Sequence, residues 1–419
     1  MPTTTDVLVV GAGPAGTAAA ITLAGAGRHV TLIDKARFPR DKCCGDGLTT
    51  LALRELEALG FDPSMVDDWQ VVDGAVLRSP SGREVAVPLP SGRRLGMFAA
   101  VAPRLQLDAA LVELAAKSGV DMLEGCSFAG SLDQRDDRVV TRIGGGGTID
   151  ARYVIGADGM WSPVRRAAGL ADPGYLGEWH AFRAYVRDVG GPAARGLHVW
   201  FDADLLPGYA WSFPLPDGRA NVGFGVLRSV AAAGRGGAMM KEQWSGLLER
   251  PHIRAALGAR AELDERHLTW PIPAGIDRAR LSAGRVLLVG DAAMASDVMT
   301  GEGIGQALLT GRLAAEAVLE AGADRPRVAA DRYGQAVRHH LVADHRMSTA
   351  LGRVLAHRRG ARAAIAVLDH AGGWARRNFA RWMFEDEPRA LLLTPSRWHR
   401  RPLARPGAWP TVRGASARS

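Results

Sequence analysis

The sequence predicts an α/β fold: a Rossmann-like, doubly wound parallel sheet with an inserted antiparallel β-sheet and a helical C-terminal region. Three observations carry that expectation. A strand, a glycine turn, a helix and a second strand follow one another without interruption from Asp6 to Asp34. The same strand-turn-helix order returns at Val154–Arg165 and again from Gly284 to Ala321. Between these two lies a stretch of short strands rich in aromatics, from Trp179 to about Pro273, and from Val328 onward the residues read as basic amphipathic helices. At 419 residues and 47% hydrophobic content, the chain can bury a large core, and its length suggests two or three domains.

Val7-Leu8-Val9-Val10 is an apolar, β-branched run bounded by polar residues, which reads as a buried parallel strand. Gly11-Ala12-Gly13-Pro14-Ala15-Gly16 follows at once and opens an alanine-rich amphipathic helix that runs to about Ala26, where Gly27 stops it. Val30 to Ile33 is the second strand, ending in Asp34. The three glycines act differently. Gly11 allows the tight turn, Gly13 lets backbone approach a pyrophosphate, and Gly16 lets helix pack on strand. The helix N-terminus offers free N–H groups and partial positive charge to that pyrophosphate. A carboxylate at Asp34 accepts from a ribose 2′-hydroxyl and repels a 2′-phosphate, which argues for a dinucleotide other than NADP.

Phe38 to Leu48 reads as a loop, Leu48 to Gly60 as a helix, and Val71 to Val87 as short antiparallel strands. Arg104 opens a helix that Gly119 ends, and Val120 to Leu123 is a strand. Residues 126–143 and 148–150 form an expected β-meander turning at Gly144–Gly147. Tyr209, Trp211 and Phe213 alternate along a strand, so all three face one side, and Pro214 is expected to end it.

Net charge is +8, concentrated at the end of the chain. Residues 371–419 hold ten arginines against Glu385, Asp386 and Glu387, a surplus of seven that leaves everything before them near +1. No basic helix-turn-helix or zinc pattern accompanies the charge, so nucleic acid is not an expected partner. Cys43 and Cys44 are adjacent and Cys126 stands alone, which implies no disulfide framework and a reducing, cytoplasmic location. No apolar run is as long as a membrane span, and the first strand starts too early for a signal peptide. Trp374, Trp382, Trp398 and Trp409 sit among Arg376, Arg377, Arg381, Arg397, Arg400 and Arg401. This tail reads either as peripheral contact with an anionic membrane surface or as a solvated basic end.

The ordered set of GAGPAG at 11–16, Ala157-Asp158-Gly159 and Val289-Gly290-Asp291 resembles the FAD-binding signatures of the p-hydroxybenzoate hydroxylase-like flavoprotein superfamily. The resemblance covers roughly the first 320 residues. It implies one FAD along the crevice of the doubly wound sheet and a β-rich substrate domain over the isoalloxazine. The implied cofactor contacts are Gly11, Gly13, Pro14, Ala15, Gly16, Asp34, Lys35, Arg40, Cys44, Gly45, Arg104, Asp158, Gly290, Asp291, Gly301, Gly303 and Ile304. Asp291 would accept from a ribityl hydroxyl, Arg104 would reach the phosphates or ribityl chain, and the helix starting near Ile304 would aim its N-terminus at the flavin.

Within that superfamily, Phe38-Pro39-Arg40-Asp41-Lys42-Cys43-Cys44-Gly45-Asp46-Gly47-Leu48 looks like the loop of the geranylgeranyl reductase family, although Cys43 stands where proline is usual. Gly208-Tyr209-Ala210-Trp211-Ser212-Phe213-Pro214 is similar to that family's Tyr-x-Trp-x-Phe-Pro signature. The resemblance implies saturation of isoprenoid double bonds, with Tyr209, Trp211, Phe213 and Pro214 lining the substrate, Cys44 either giving the proton or gating FAD movement, and Tyr209 as a second candidate donor. It divides the chain into an FAD domain (1–70, 100–175 and 277–325), a substrate domain (71–99 and 176–276) and a helical region (326–419). The expected partners are a lipophilic small molecule and an electron donor left open among NAD(P)H, ferredoxin and a flavin reductase. A flavin monooxygenase acting on aromatic or polyketide substrates is the main rival. A flavin-dependent halogenase is weaker, because its Trp-x-Trp-x-Ile-Pro motif and early lysine are missing. A non-catalytic FAD-binding protein is the remaining alternative.

Overall fold

The computed structural model describes residues 3–90, 95–228, 237–397 and 405–410. Five parallel strands lie in the order Val286–Leu288, Thr148–Gly156, Thr3–Val10, Val30–Asp34 and Asp121–Glu124. Chain order therefore runs outward in both directions from Thr3–Val10. The direction of winding reverses between Thr3–Val10 and Thr148–Gly156, and a doubly wound sheet binds its ligand in the crevice beyond the carboxyl ends of the strands at such a reversal.

The first helix, Pro14–Gly25, is buried on nearly every side of its first two turns rather than amphipathic. Helix Ile304–Ala321 lies against it, so close that a Cβ on Gly311 would sit 2.1 Å from the Ala15 carbonyl oxygen. Small residues are required because both helices are core elements. The expected meander is present as hairpin Phe128–Gln134 and Val139–Ile143, but its third member is not a separate short strand. Thr148–Gly156 is one continuous strand, antiparallel to the hairpin at its start and parallel to Thr3–Val10 along its length.

The second sheet runs Glu262–Leu263, Trp179–Arg187, Arg219–Leu227, Tyr209–Leu215, Leu197–Trp200, Gly74–Arg78, Glu84–Pro88, with Leu268–Ile272 also on Trp179–Arg187. It is not wholly antiparallel: Leu197–Trp200 pairs parallel with Gly74–Arg78. The 74–88 hairpin comes from a distant part of the chain, so no tight turn dictates its direction. Pro214 does not end its strand, which continues to Leu215 opposite Arg219. The neighbour on its other side is paired only as far as Ser212, so no N–H is demanded of Pro214 there.

Helices Pro326–Val337, Ala343–Leu355, Arg358–His370 and Gly373–Met383 form the C-terminal region. Four of the ten residues in the Trp/Arg reading of its end are packed or paired inside the fold. Trp409 is 9% exposed, packs edge-on against Trp69 at 6.1 Å and donates its backbone N–H to Glu57. Arg381 is buried against Asp386, Arg397 pairs with Asp344 at 2.8 Å, and Trp382 donates to the Arg389 carbonyl. Asp386 and Asp344 neutralise these arginines and the apolar indole of Trp409 joins the core, while Arg377 stays exposed. Trp374 stays exposed, while Trp398, Arg400 and Arg401 lie outside the described residues. No helix among the described residues is long and apolar enough to cross a membrane.

Candidate dinucleotide and substrate site

The glycine turn sits at the reversal point of the parallel sheet. Gly11 has φ +104°, and a Cβ there would lie 2.4 Å from the Ala157 carbonyl oxygen, so the first and second motif stretches press together with no room for a side chain. A Cβ on Gly16 would come within 1.8 Å of the Gly11 oxygen. Asp34 braces this turn: Oδ2 accepts from Ala12 N and Oδ1 from Ala36 N, both at 2.8 Å. Each oxygen keeps a second lone pair for a hydroxyl donor. The helix begins at Gly13 with Pro14 in its first turn and no side-chain cap, which leaves early amides free for a ligand.

Two cations converge on that helix start, and a third, Lys42, stands by the second motif stretch. Arg104 donates Nε and Nη2 to Asp108 at 2.6 and 2.7 Å, and Arg40 meets the same carboxylate at 2.8 Å. A Cβ on Gly13 would lie 3.7 Å from Arg40 Nη2 and 3.9 Å from Arg104 Nη2. The Lys42 ammonium lies 4.5 Å from the centre of the Trp270 ring and 3.5 Å from where a Cβ on Gly159 would be. Burial lowers the Lys42 pKa, with Asp291 opposing the shift. One carboxylate, Asp108, thus faces two guanidiniums beside the glycine turn. A pyrophosphate fits this cradle by charge. Lys35 is exposed at the rim. Beyond the same turn lies an open cleft of about 730 Å³, lined in part by Arg37, Phe38, Met122 and Cys126.

The later motif residues are placed less uniformly. Asp158 spends both oxygens locally, accepting from Ser162 Oγ and from Val164 N at 2.9 Å, and so caps helix Pro163–Ala167; burial raises its pKa. Its backbone, rather than its carboxylate, is what meets Gly11. Asp291 accepts only a long bond from Ser296 Oγ, 3.4 Å, and stays partly exposed. Gly290 and Gly301 both hold positive φ, and Gly290 abuts Ala15. Gly303 precedes Ile304 at the start of the long helix as expected. That helix end is not bare, however, because Glu302 accepts from Gly305 N at 2.9 Å.

Above the cradle, Tyr209, Trp211 and Phe213 line one face of their strand, with ring centroids 6.0 and 6.1 Å apart. Pro214, by alternation, points to the other face. Gly223 on the next strand makes room for the Trp211 indole, since a Cβ there would lie 2.4 Å from its ring. The wall packs directly on the Cys44 loop: a Cβ on Gly45 would lie 3.4 Å from the Phe213 ring, and one on Gly47 3.0 Å.

Asn221 stitches the two together. Its Nδ2 donates to the Cys44 carbonyl and to Asp46 Oδ2, both at 2.8 Å, while its Oδ1 accepts from Trp211 Nε1 at 3.0 Å. Asp46, at φ +62°, also accepts from Tyr185 OH at 2.7 Å, and burial pushes its pKa up to about 6. The Cys44 thiol is pushed by burial to about 11 and that of Cys43 to about 12, so both stay protonated in the neutral range. Tyr209 donates its hydroxyl proton to the Thr300 carbonyl. Arg183, fully buried, ties the wall's sheet to the same loop through Asp41 at 2.5 Å.

Sequence reasoning missed Asp46, Asn221, Tyr185, Arg183 and Lys42 as site members, and also Glu302, Glu385 and Arg389. Lys42 lay inside the loop already singled out. Asn221 carried a signal as well, a lone amide in the apolar strand Arg219–Leu227.

Residues 4–310 match the family model described as FAD binding domain. The chain is 35% identical over 343 residues to a menaquinone reductase of Mycolicibacterium smegmatis, covering 77% of this chain and 78% of that protein. It is 33% identical over 326 residues to digeranylgeranylglycerophospholipid reductase 1 of Methanopyrus kandleri, covering 75% and 80%. Among solved structures, a geranylgeranyl bacteriochlorophyll reductase-like protein of Thermoplasma acidophilum superimposes with TM-score 0.75 at 23% identity, over 94% of this chain and 96% of that one.

Proposed function

The chain belongs to the flavoprotein family with this FAD-binding domain and is an FAD-dependent oxidoreductase; from that premise we propose that it saturates carbon–carbon double bonds of an isoprenoid substrate. The observation that carries this reading is the contact between the aromatic wall and the Cys44 loop. A prenyl chain has no polar handle, so only shape and apolar contact can hold it, and three aromatic rings in a row supply both. Bound and reduced, FAD supplies a hydride to an alkene carbon held about 3–3.5 Å away.

The chain's own residues do the rest. Arg40, Arg104 and Lys42 would hold the pyrophosphate side of the cofactor, Asp34 its ribose, and Asp291 its ribityl chain. Asn221 fixes the wall to the loop, so substrate and cofactor share one frame. The Cys44 thiol remains neutral because burial opposes its ionisation, so it has a proton to give to the second alkene carbon. The Tyr209 hydroxyl is held in a hydrogen bond to the Thr300 carbonyl, so we assign Cys44 as the donor.

The substrate is met, in this reading, at an anionic membrane surface. Support comes from Val354, Val367, Trp374 and Leu393, which are 56, 71, 70 and 70% exposed, and from exposed arginines 346, 353, 358, 359 and 362 on the two helices that carry Val354 and Val367. Replacing Val367 and Trp374 by Glu is expected to weaken sedimentation with anionic liposomes; unchanged sedimentation would remove the membrane from the proposal.

The decisive test of the chemistry is anaerobic. The holoenzyme is reduced without oxygen and mixed with a prenylated menaquinone or a geranylgeranyl lipid. Flavin reoxidation with a gain of two hydrogens in the product mass is expected. A flavin that stays reduced until oxygen is admitted, and then places oxygen on an aromatic compound, would replace the reductase by the hydroxylase.

A further inference from the structure

Asp46 follows Cys44 and Gly45 on the loop, is fully buried and holds φ +62°. Its backbone N–H donates to the Cys44 sulfur at 3.3 Å. Its other polar atoms are fixed from different parts of the chain. The carbonyl accepts from Ala102 N at 3.0 Å, and Oδ1 accepts from Arg104 N at 3.3 Å, where helix Arg104–Lys117 begins. Oδ2 accepts from Tyr185 OH at 2.7 Å and from Asn221 Nδ2 at 2.8 Å. Tyr185 and Asn221 stand opposite each other on antiparallel strands of the second sheet, so one carboxylate oxygen reaches both side chains.

The residue type follows from this arrangement. The left-handed region is open to glycine and, among other residues, favours Asp and Asn. A carboxylate accepts on both oxygens, which three donors from two directions require, whereas an amide presents one accepting oxygen. Cys44 is thereby held at two points, its carbonyl by Asn221 Nδ2 at 2.8 Å and its sulfur by the Asp46 amide.

Aiming that N–H has a chemical consequence. A thiol sulfur is a weak acceptor and a thiolate a strong one, so the bond strengthens as the proton leaves. Burial is the main influence on the thiol and opposes its ionisation. Among the charged groups, Arg104 on the helix favours ionisation, while the Asp46 carboxylate on the loop and Glu302 ahead of Ile304–Ala321 oppose it. Asp46 thus acts on the sulfur twice with opposite sign, through its charge and through its amide. An amide dipole already in place stabilises charge without reorganising when the charge forms.

We propose that Asp46 is a positioning residue for proton donation: its anchored side chain aims the backbone N–H at the Cys44 sulfur and so stabilises the thiolate formed when Cys44 protonates the alkene. This rests on the ene-reductase reading. One alkene carbon takes the hydride with its electron pair, and reduced FAD becomes oxidised. The π pair binds the Cys44 proton at the other carbon, the S–H pair stays on sulfur, and solvent returns a proton to the thiolate.

Asp46→Ala removes the side-chain anchors and places at φ +62° a residue that disfavours it. Asp46→Asn keeps the left-handed preference and an oxygen for Tyr185 and Asn221, and drops the opposing charge. Reduced holoenzyme is mixed anaerobically with a prenylated menaquinone in light and in heavy water, and the first turnover is followed by flavin absorbance. Asp46→Ala is expected to slow reoxidation roughly tenfold or more with a larger solvent isotope effect than wild type, because proton transfer becomes the slower event. Asp46→Asn is expected to react faster than Asp46→Ala and to keep the wild-type isotope effect. Equal slowing of both variants with an unchanged isotope effect would make Asp46 structural and overturn the proposal.

The bond itself is read without turnover, and without requiring Asp46→Ala to fold. In oxidised holoenzyme labelled with heavy nitrogen at its aspartates, the Asp46 amide signal is the one lost in Asp46→Asn. Its proton resonance is expected to move upfield in Cys44→Ala, which removes the acceptor; a resonance that stays in place would overturn the amide–sulfur bond. If wild type reduces no alkene at all, the functional reading fails while this resonance still reports on Asp46 and Cys44.

Discussion

Asn221→Ala is the substitution that should separate the wall from the loop. The side chain makes three buried bonds, to the Cys44 carbonyl, to Asp46 and from Trp211. Truncation strands the Trp211 Nε1–H in a residue 6% exposed and leaves the Cys44 carbonyl without this donor. A stranded buried polar group costs about 1–3 kcal/mol, and a hydrogen bond to a charged partner contributes about 1.5–3 kcal/mol. Together these give roughly 3–6 kcal/mol, discounted toward the lower end where water reaches the vacated space. The assay is urea denaturation of wild-type and variant holoenzyme, run beside maleimide labelling of Cys44. The urea midpoint should fall, and labelling of Cys44 should accelerate because the loop is released from the sheet. A midpoint equivalent to less than about 1 kcal/mol of change, with Cys44 labelling unaltered, would refute the reasoning, since neither the stranded groups nor the tether would then matter.

Gly13→Ala meets nothing closer than the Arg40 guanidinium at 3.7 Å and sits at φ −78°, so the fold should tolerate it; yet the methyl enters the anion cradle, and FAD affinity by fluorescence titration should drop about tenfold or more while apoprotein stability holds. Asp46 predicts a pH effect on stability. Its native pKa of about 6 exceeds its ordinary 3.8, so the folded state holds the proton more tightly, and its contribution, on the order of 3 kcal/mol, is present at acid pH and is lost as pH rises through about 4 to 6. Urea midpoints measured across that window should show a component of falling stability that Asp46→Asn removes; identical pH profiles would refute it. Trp409→Ala should cost about 3–5 kcal/mol, because the indole is buried against Trp69, and a thermal midpoint equal to wild type would return the tail to solvent.

Much of the dinucleotide half was legible in the linear order of residues. Gly11, Gly13, Gly16 and Asp34 fall within one βαβ unit, whose turn geometry depends on neighbours in sequence, so their spacing states their purpose. The strand bearing Tyr209, Trp211 and Phe213 was legible for the same reason, because alternation is a local property. The expected cofactor carboxylate at Asp158 was read less well, since whether a carboxylate caps its own helix or faces a ligand depends on side-chain rotation, which spacing does not encode.

What the sequence alone determined is the set of local devices: a glycine turn, three strand-to-helix transitions, an aromatic stripe and a basic helical end. What only the tertiary structure decided is which of them meet. Asn221 joins Asp46 across 175 residues, and Gln306 meets Glu385 across 79. Asp386 and Glu387 looked like charges in a basic tail and proved to be buried, and Glu385 pairs with Arg389. The physical reason is desolvation. A carboxylate's pKa, a thiol's protonation and an amide's partner are set by what excludes water around them, and that enclosure is assembled from segments hundreds of residues apart, on which periodicity and spacing are silent.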